Sequence, residues 1–156
     1  MQIKDFLTTS SVVIDVPASG KAALLSDLAR RAAAELKLDS DAVANAVGKR
    51  DELGSTGIGG GVAIPHARLR EIKKPFGLLA RLKNPIDFAA IDGGPVDIVF
   101  LMLLPAASQL DQLNTLAAAA RKLRDGDLLS KLRKATTAAE LYRTIAIRER
   151  QATSAR

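Results

Sequence analysis

Hydrophobic positions change their period several times along the chain, and the changes divide it into elements. Ser11 to Val16 (SVVIDV) is rich in β-branched residues and reads as a short strand, ended by Pro17. Ser19 is placed to cap the helix that follows. From Lys21 to Leu38 the apolar residues Leu25, Leu28, Ala29, Ala32 and Leu36 recur at helical spacing, which predicts an amphipathic helix. Asp39 or Ser40 opens a second helix through Val43, Ala46 and Val47 to about Leu53. Gly54 to Gly61 is a loop, and Val62 to Ile64 is a short strand that meets Pro65. Phe76 to Leu82 and Val96 to Leu104 read as strands. The second is apolar at nearly every position, as expected of a strand covered on both faces. Ile86 to Phe88 makes a short extension, and Asp92-Gly93-Gly94-Pro95 is a turn.

After Pro105 the period becomes helical again. Leu113, Leu116, Ala117, Ala120 and Leu123 share one face. A short helix covers Asp127 to Lys134, and Thr137 caps a last helix through about Arg148. Strands interspersed with helices, around one doubly covered strand, imply the α/β class. The expected architecture is a single three-layer domain over residues 1–150, a mixed β-sheet with helices on both faces. Residues 151–156 are expected to form a disordered tail.

Composition narrows the chemistry. The 156 residues are 47% hydrophobic but only 3% aromatic, so the core must be aliphatic. There is no cysteine, which excludes disulfides, thiolate metal sites and cysteine nucleophiles. With one histidine, a multi-histidine metal site within the chain is excluded too, and no Asp/Glu cluster has calcium-loop spacing. No metal or cofactor is expected. The N-terminus lacks the apolar stretch of a signal peptide. The run Ile98 to Leu104 is far shorter than the ~20 residues of a membrane helix. A cytoplasmic protein without membrane insertion is therefore expected.

The net charge of +6 is unevenly spread. Residues 1–120 hold 13 basic and 13 acidic side chains, and residues 121–156 hold 10 basic and 4 acidic. With no nucleic-acid motif beside it, this basic end reads as a solvated helix face, not a specific nucleic-acid site.

Five of the eleven glycines fall between Gly54 and Gly61. Such density suits either a tight turn or a loop whose backbone N–H groups form an anion-binding concavity, to which Ser55 and Thr56 would add hydroxyl donors. The dinucleotide fingerprint fails here, because the glycines follow a helix and enter a strand. The only histidine, His66, comes directly after Ile64-Pro65, where proline restrains the backbone and mounts the next side chain. A neutral imidazole is a competent nucleophile near pH 7 and can form a phosphohistidine.

The block Arg50-Asp51-Glu52-Leu53-Gly54-Ser55-Thr56-Gly57-Ile58-Gly59-Gly60-Gly61-Val62-Ala63-Ile64-Pro65-His66 closely resembles the signature of the fructose–mannitol class of enzyme IIA domains of the phosphoenolpyruvate-dependent phosphotransferase system. Its Gly-Ser-Thr-Gly-Ile-Gly wording is most similar to the nitrogen-related branch. Pro85-Ile86-Asp87-Phe88, Gly94 to Phe100, the Leu113 to Leu123 helix and Ala139-Glu140-Leu141-Tyr142 extend the resemblance over nearly the whole chain. It implies the enzyme IIA mannitol-like fold, with His66 accepting a phosphoryl group through Nε2 and Arg50 beside it. An always-charged, forked guanidinium suits the equatorial oxygens of a transferring phosphoryl group.

The sequence departs from that pattern at three positions. Some members carry a second histidine on the helix after the last strand, and the matching position here is Asn114, which can donate a hydrogen bond but relays no proton. Ala67 stands where glycine is usual, so positive φ is not expected there. Gly60 stands where asparagine is usual. The resemblance implies an HPr-like phosphocarrier as donor and regulatory target proteins as partners, with phosphorylation as the switch. Two alternatives are an enzyme IIA component of fructose- or mannitol-type sugar uptake, donating to a permease component, and a binding module that carries no phosphate.

Overall fold

Strand β6 (Val96–Pro105) organises the molecule, because eight of its ten side chains are buried. The computed structural model describes residues 3–107 and 109–154. Two short 3-10 turns, Ile3–Phe6 and Thr9–Ser11, lead into β1 (Val12–Val16). Helices α1 (Lys21–Leu36) and α2 (Ser40–Glu52) follow, then β2 (Gly57–Gly59), β3 (Val62–Ala63), β4 (His66–Leu69), β5 (Phe76–Ile86) and β6. Helices α3 (Gln109–Lys122), α4 (Gly126–Lys134) and α5 (Ala138–Ser154) close the chain.

The strands form one mixed sheet in the order β1-β5-β6-β3-β2, with β4 also on β6. Strand β5 is antiparallel to β6, whereas β3 and β4 run parallel to it. Alternate β6 residues feed two cores. Val99, Leu101 and Leu103 pack with Leu28, Ala32, Val43 and Val47 of α1 and α2. Ile98, Phe100, Met102 and Leu104 pack with Ala119 of α3, Leu123 just after it, Leu128 and Leu132 of α4, and Leu141 and Ile145 of α5. Each large aliphatic side chain this doubly covered strand removes from water contributes about 1.5–3 kcal/mol. The three layers and the α/β class are those the sequence implies.

Local details differ from the sequence reading. Gly20, not Ser19, is the N-cap of α1, and no side chain caps that end. Asp39 does cap α2, its side chain accepting from Asp41 N at 3.2 Å. Asp125 caps α4 in the same way. Thr137 Oγ1 accepts from Glu140 N at 3.1 Å, as its position before α5 suggests. Helix α5 runs to Ser154 instead of ending near Arg148, and residues 155–156 lie outside the described residues. Among the described residues no helix is long and apolar enough to cross a membrane.

Candidate functional site

Pro65 does not end the strand it interrupts. Val62 and Ala63 pair with Ile98 and Val99, and His66 to Leu69 pair with Met102 to Pro105, the same offset on either side of Pro65. The edge strand lacks one N–H at Pro65 and then resumes in register, with Pro65 O accepting from Met102 N at 2.9 Å. His66 is therefore the first residue of β4 and is fixed by a continuous ladder to the most buried strand of the sheet.

Its imidazole is half-buried and held at both nitrogens. Nδ1 lies 3.0 Å from Ile64 O. A carbonyl only accepts, so Nδ1 must carry the proton. Arg50 Nε donates to Nε2 across 3.2 Å. A guanidinium only donates, so Nε2 must present its lone pair. The two contacts select one neutral tautomer, with the proton on Nδ1 and the lone pair on Nε2. Burial pushes the His66 pKa below the ordinary histidine value. The Ile64 carbonyl opposes this, and the nearby charges of Arg50 and Arg68 add to it.

Arg50 reaches the imidazole from the last turn of α2, sixteen residues upstream. Its Nη1 also donates to Gly54 O at 3.1 Å, which ties the guanidinium to the turn leaving the helix. Just beyond it, Asp51 pairs with Lys21 at 2.9 Å, and Lys21 lies over the Phe88 ring. The end of α2 is thus pinned to α1.

Around His66 lies a cavity of about 630 Å³ at the sheet edge, between α2 of one layer and α3 of the other. Lys49, Arg50, Arg68, Leu53, Gln112 and Leu113 are among its walls. The sequence reading brought together only His66 and Arg50 of this set.

The other candidates stand elsewhere. Ser55 Oγ donates to Phe88 O at 2.7 Å and accepts from Gly57 N at 3.1 Å, so it is spent on closing the loop. Thr56 is buried, and its Oγ1 has no partner among the described residues. Neither lines the His66 cavity.

The glycine stretch forms a hairpin. Strands β2 and β3 pair around Gly60 and Gly61, which adopt φ of +68° and +81°. Gly60 N donates to Asp92 Oδ2 at 3.1 Å, and Gly94 N donates to Oδ1 at 3.0 Å. These bonds, from Gly94 and then Gly60, lower the Asp92 pKa. A positive φ suits either glycine or asparagine at position 60. Ala67 has no positive φ, as expected.

Asn114 lines a neighbouring cavity and not that of His66. The reason is helical phase. The sequence reading put Leu113 and Ala117 on one face with Leu123, but in α3 both are exposed, while Gln112 and Ala119, and Leu123 just past the helix, are buried. Gln112 Nε2 donates to Pro105 O and borders His66's cavity. The signal for it was available: a polar residue exactly one turn before Leu116 on the inward face. Among the described residues no group of three or more His, Asp or Glu side chains could hold a metal.

Residues 5–147 match the family model for the phosphoenolpyruvate-dependent sugar phosphotransferase system, EIIA 2. A nitrogen regulatory protein of Bradyrhizobium diazoefficiens is 41% identical over 147 residues, covering 94% of this chain and 96% of that one. The crystal structure of nitrogen regulatory protein IIA-Ntr from Neisseria meningitidis superposes with a TM-score of 0.85 at 31% identity, covering 92% of this chain and 98% of that one. IIA mannitol from Escherichia coli shares the fold, with a TM-score of 0.75 at 14% identity over 90% of this chain and 99% of that one.

Proposed function

The chain belongs to the EIIA 2 family of the phosphoenolpyruvate-dependent sugar phosphotransferase system, and we propose that it is a cytoplasmic histidine phosphocarrier of the nitrogen-related branch. It accepts a phosphoryl group on His66 Nε2 from an HPr-like protein and regulates target proteins by its phosphorylation state. The observation that carries this reading is the pair of contacts on one ring: Nδ1–H held by Ile64 O, and Nε2 facing Arg50.

In the transfer, the Nε2 lone pair attacks phosphorus. The P–Nε2 bond forms as the donor's N–P bond breaks, and the donor nitrogen keeps that electron pair. Arg50 Nε–H turns from Nε2 to a phosphoryl oxygen as the phosphoryl group enters, which frees the lone pair for the attack, and its positive charge there offsets the charge spread over the oxygens. Arg68 and Lys49, both exposed on the cavity wall, extend the positive field. Proline and the unbroken β4 ladder keep the ring oriented, so little reorganisation is needed at the moment of reaction.

Because the chain has one histidine, a long-range 1H–15N spectrum contains a single imidazole. Phosphorylation by phosphoenolpyruvate, enzyme I and an HPr-like protein should shift Nε2 and leave Nδ1 protonated. Phosphorus on Nδ1, or an unchanged imidazole in a phosphorylated chain, would exclude this chemistry.

A further inference from the structure

A second cavity, of about 780 Å³, lies beside that of His66, between the turn joining β4 to β5 and α3. Small-molecule sites usually enclose about 300–1,000 Å³, so the volume suits one. Asp111, Asn114, Ala118 and Arg121 line it, spaced as one continuous stripe of α3. Lys73, Lys74 and Pro75 line it from the turn, and Leu104 and Pro105 from the end of β6. Proline fixes its own φ, so two of these walls are stiff before any ligand arrives.

Charge in this cavity is one-sided. Lys73, Lys74 and Arg121 line it against one acid, Asp111. None of the three cations forms an ion pair within 4.0 Å among the described residues, whereas Lys21, Arg31, Arg81, Lys131 and Arg133 all do. None of the three lines the His66 cavity, so the transferring phosphoryl group does not account for them. A cleft lined by one sign of charge concentrates ions of the other sign. Lysine brings three donors and arginine a planar fork, and both suit phosphate oxygens. The cations stand on two separate elements, which calls for anionic groups at both ends of a ligand. Asn114 can donate and accept and Asp111 can accept, which suits hydroxyls between those ends. No aromatic side chain lines the cavity, so a nucleotide base would find no stacking surface.

We infer that this cavity binds a small sugar phosphate with anionic groups at both ends, one held by Lys73 and Lys74 and the other by Arg121. Leu104 and Gln112 line both this cavity and that of His66. Gln112 Nε2 also donates to Pro105 O, so one side chain joins the two walls. An anion here and a phosphoryl group on His66 repel across that shared wall, and each lowers the affinity for the other. The level of a sugar phosphate thereby biases the phosphorylation state. This coupling rests on His66 being the phosphoryl acceptor, whereas the binding itself does not.

The test is titration of the unphosphorylated full chain with glucose 1,6-bisphosphate at constant ionic strength, followed by calorimetry and by backbone amide shifts. Binding should saturate at one ligand per chain, with the largest shifts at Lys73, Lys74, Asn114 and Arg121. Lys73→Gln/Arg121→Gln should raise the Kd by on the order of tenfold or more, through loss of charge-assisted hydrogen bonds at both ends. The control, Arg30→Gln/Lys83→Gln, removes the same charge at exposed residues that line neither cavity and should leave the Kd near wild type. No saturable binding, an unchanged Kd in the cavity variant, or an equal rise in the control would overturn the inference. Equally tight binding of inorganic phosphate or adenosine monophosphate at the same residues would overturn the ligand class. A second titration uses the chain fully phosphorylated on His66, which should bind the bisphosphate about fivefold or more weakly. Equal affinity in the two forms would remove the coupling and leave the site.

Discussion

Arg50 donates a hydrogen bond to Nε2 of His66 at 3.2 Å, the nitrogen that the proposed reaction uses to attack phosphorus. Replacing Arg50 with Ala should slow phosphotransfer by about 2–4 kcal/mol in the barrier, the scale of losing one preorganised donor. Arg50→Lys should recover only part of the rate, because an ammonium has no planar fork. Thermal melts of both variants should stay near wild type. Single-turnover rates read beside those melts decide the matter: wild-type rates in both variants would make Arg50 a surface residue.

The environment of His66 also sets a pH dependence. Its folded pKa lies below the ordinary value of about 6.5, chiefly through burial. Between the folded and unfolded values the unfolded chain binds more protons, so stability rises with pH across that window. The contribution is full above about pH 6.5 and is lost as pH falls through the folded pKa. An NMR titration of the single imidazole should give a midpoint below 6.5. Arg50→Gln should move that midpoint up, since the Arg50 charge lowers it. A wild-type midpoint above 6.5 would contradict the burial described.

The Lys21–Asp51 pair offers a stability test close to the site. Asp51 is largely buried, and its Oδ1 has no partner among the described residues. Lys21→Met should strand the carboxylate at a cost of about 1–3 kcal/mol. Adding Asp51→Asn should restore part of that, because no uncompensated charge then remains. Denaturant midpoints of the single and double variants measure the coupling, and strict additivity would show that the pair does not act as a unit.

Two glycines should respond in opposite directions. A Cβ on Gly57 would lie 2.8 Å from both Cα and Cβ of Ala90, so Gly57→Ala should destabilise by about 1–3 kcal/mol through overpacking. Gly48 sits inside α2 with nothing within 4 Å of the added atom, so Gly48→Ala should stabilise by about 0.5–1 kcal/mol. Thermal melts test both signs.

Most of the fold was legible because periodicity reports burial directly. The apolar run of β6 announced a strand covered on both faces, and the spacing in α1 and α2 marked their buried sides. What escaped had a physical cause each time. Pro65 looks like a strand end, yet at a sheet edge one missing N–H costs little and the register survives. Gly57 to Gly59 has poor strand propensity but is held by its partner Ala63 and by the loop at Asp92. In α3, apolar residues at Leu113 and Ala117 concealed the true phase, since exposed leucines are normal on a surface. His66 and Arg50 were legible as a pair only through the family resemblance, because no spacing rule joins a helix end to a strand sixteen residues away.

The most direct measurement is the intact mass of the protein after incubation with phosphoenolpyruvate, enzyme I and an HPr-like carrier, for wild type and His66→Ala. Wild type should gain one acid-labile phosphoryl group and His66→Ala none. A phosphoryl gain in the alanine variant, or none in either protein when the carrier itself is fully phosphorylated, would contradict the assignment of His66 as the acceptor.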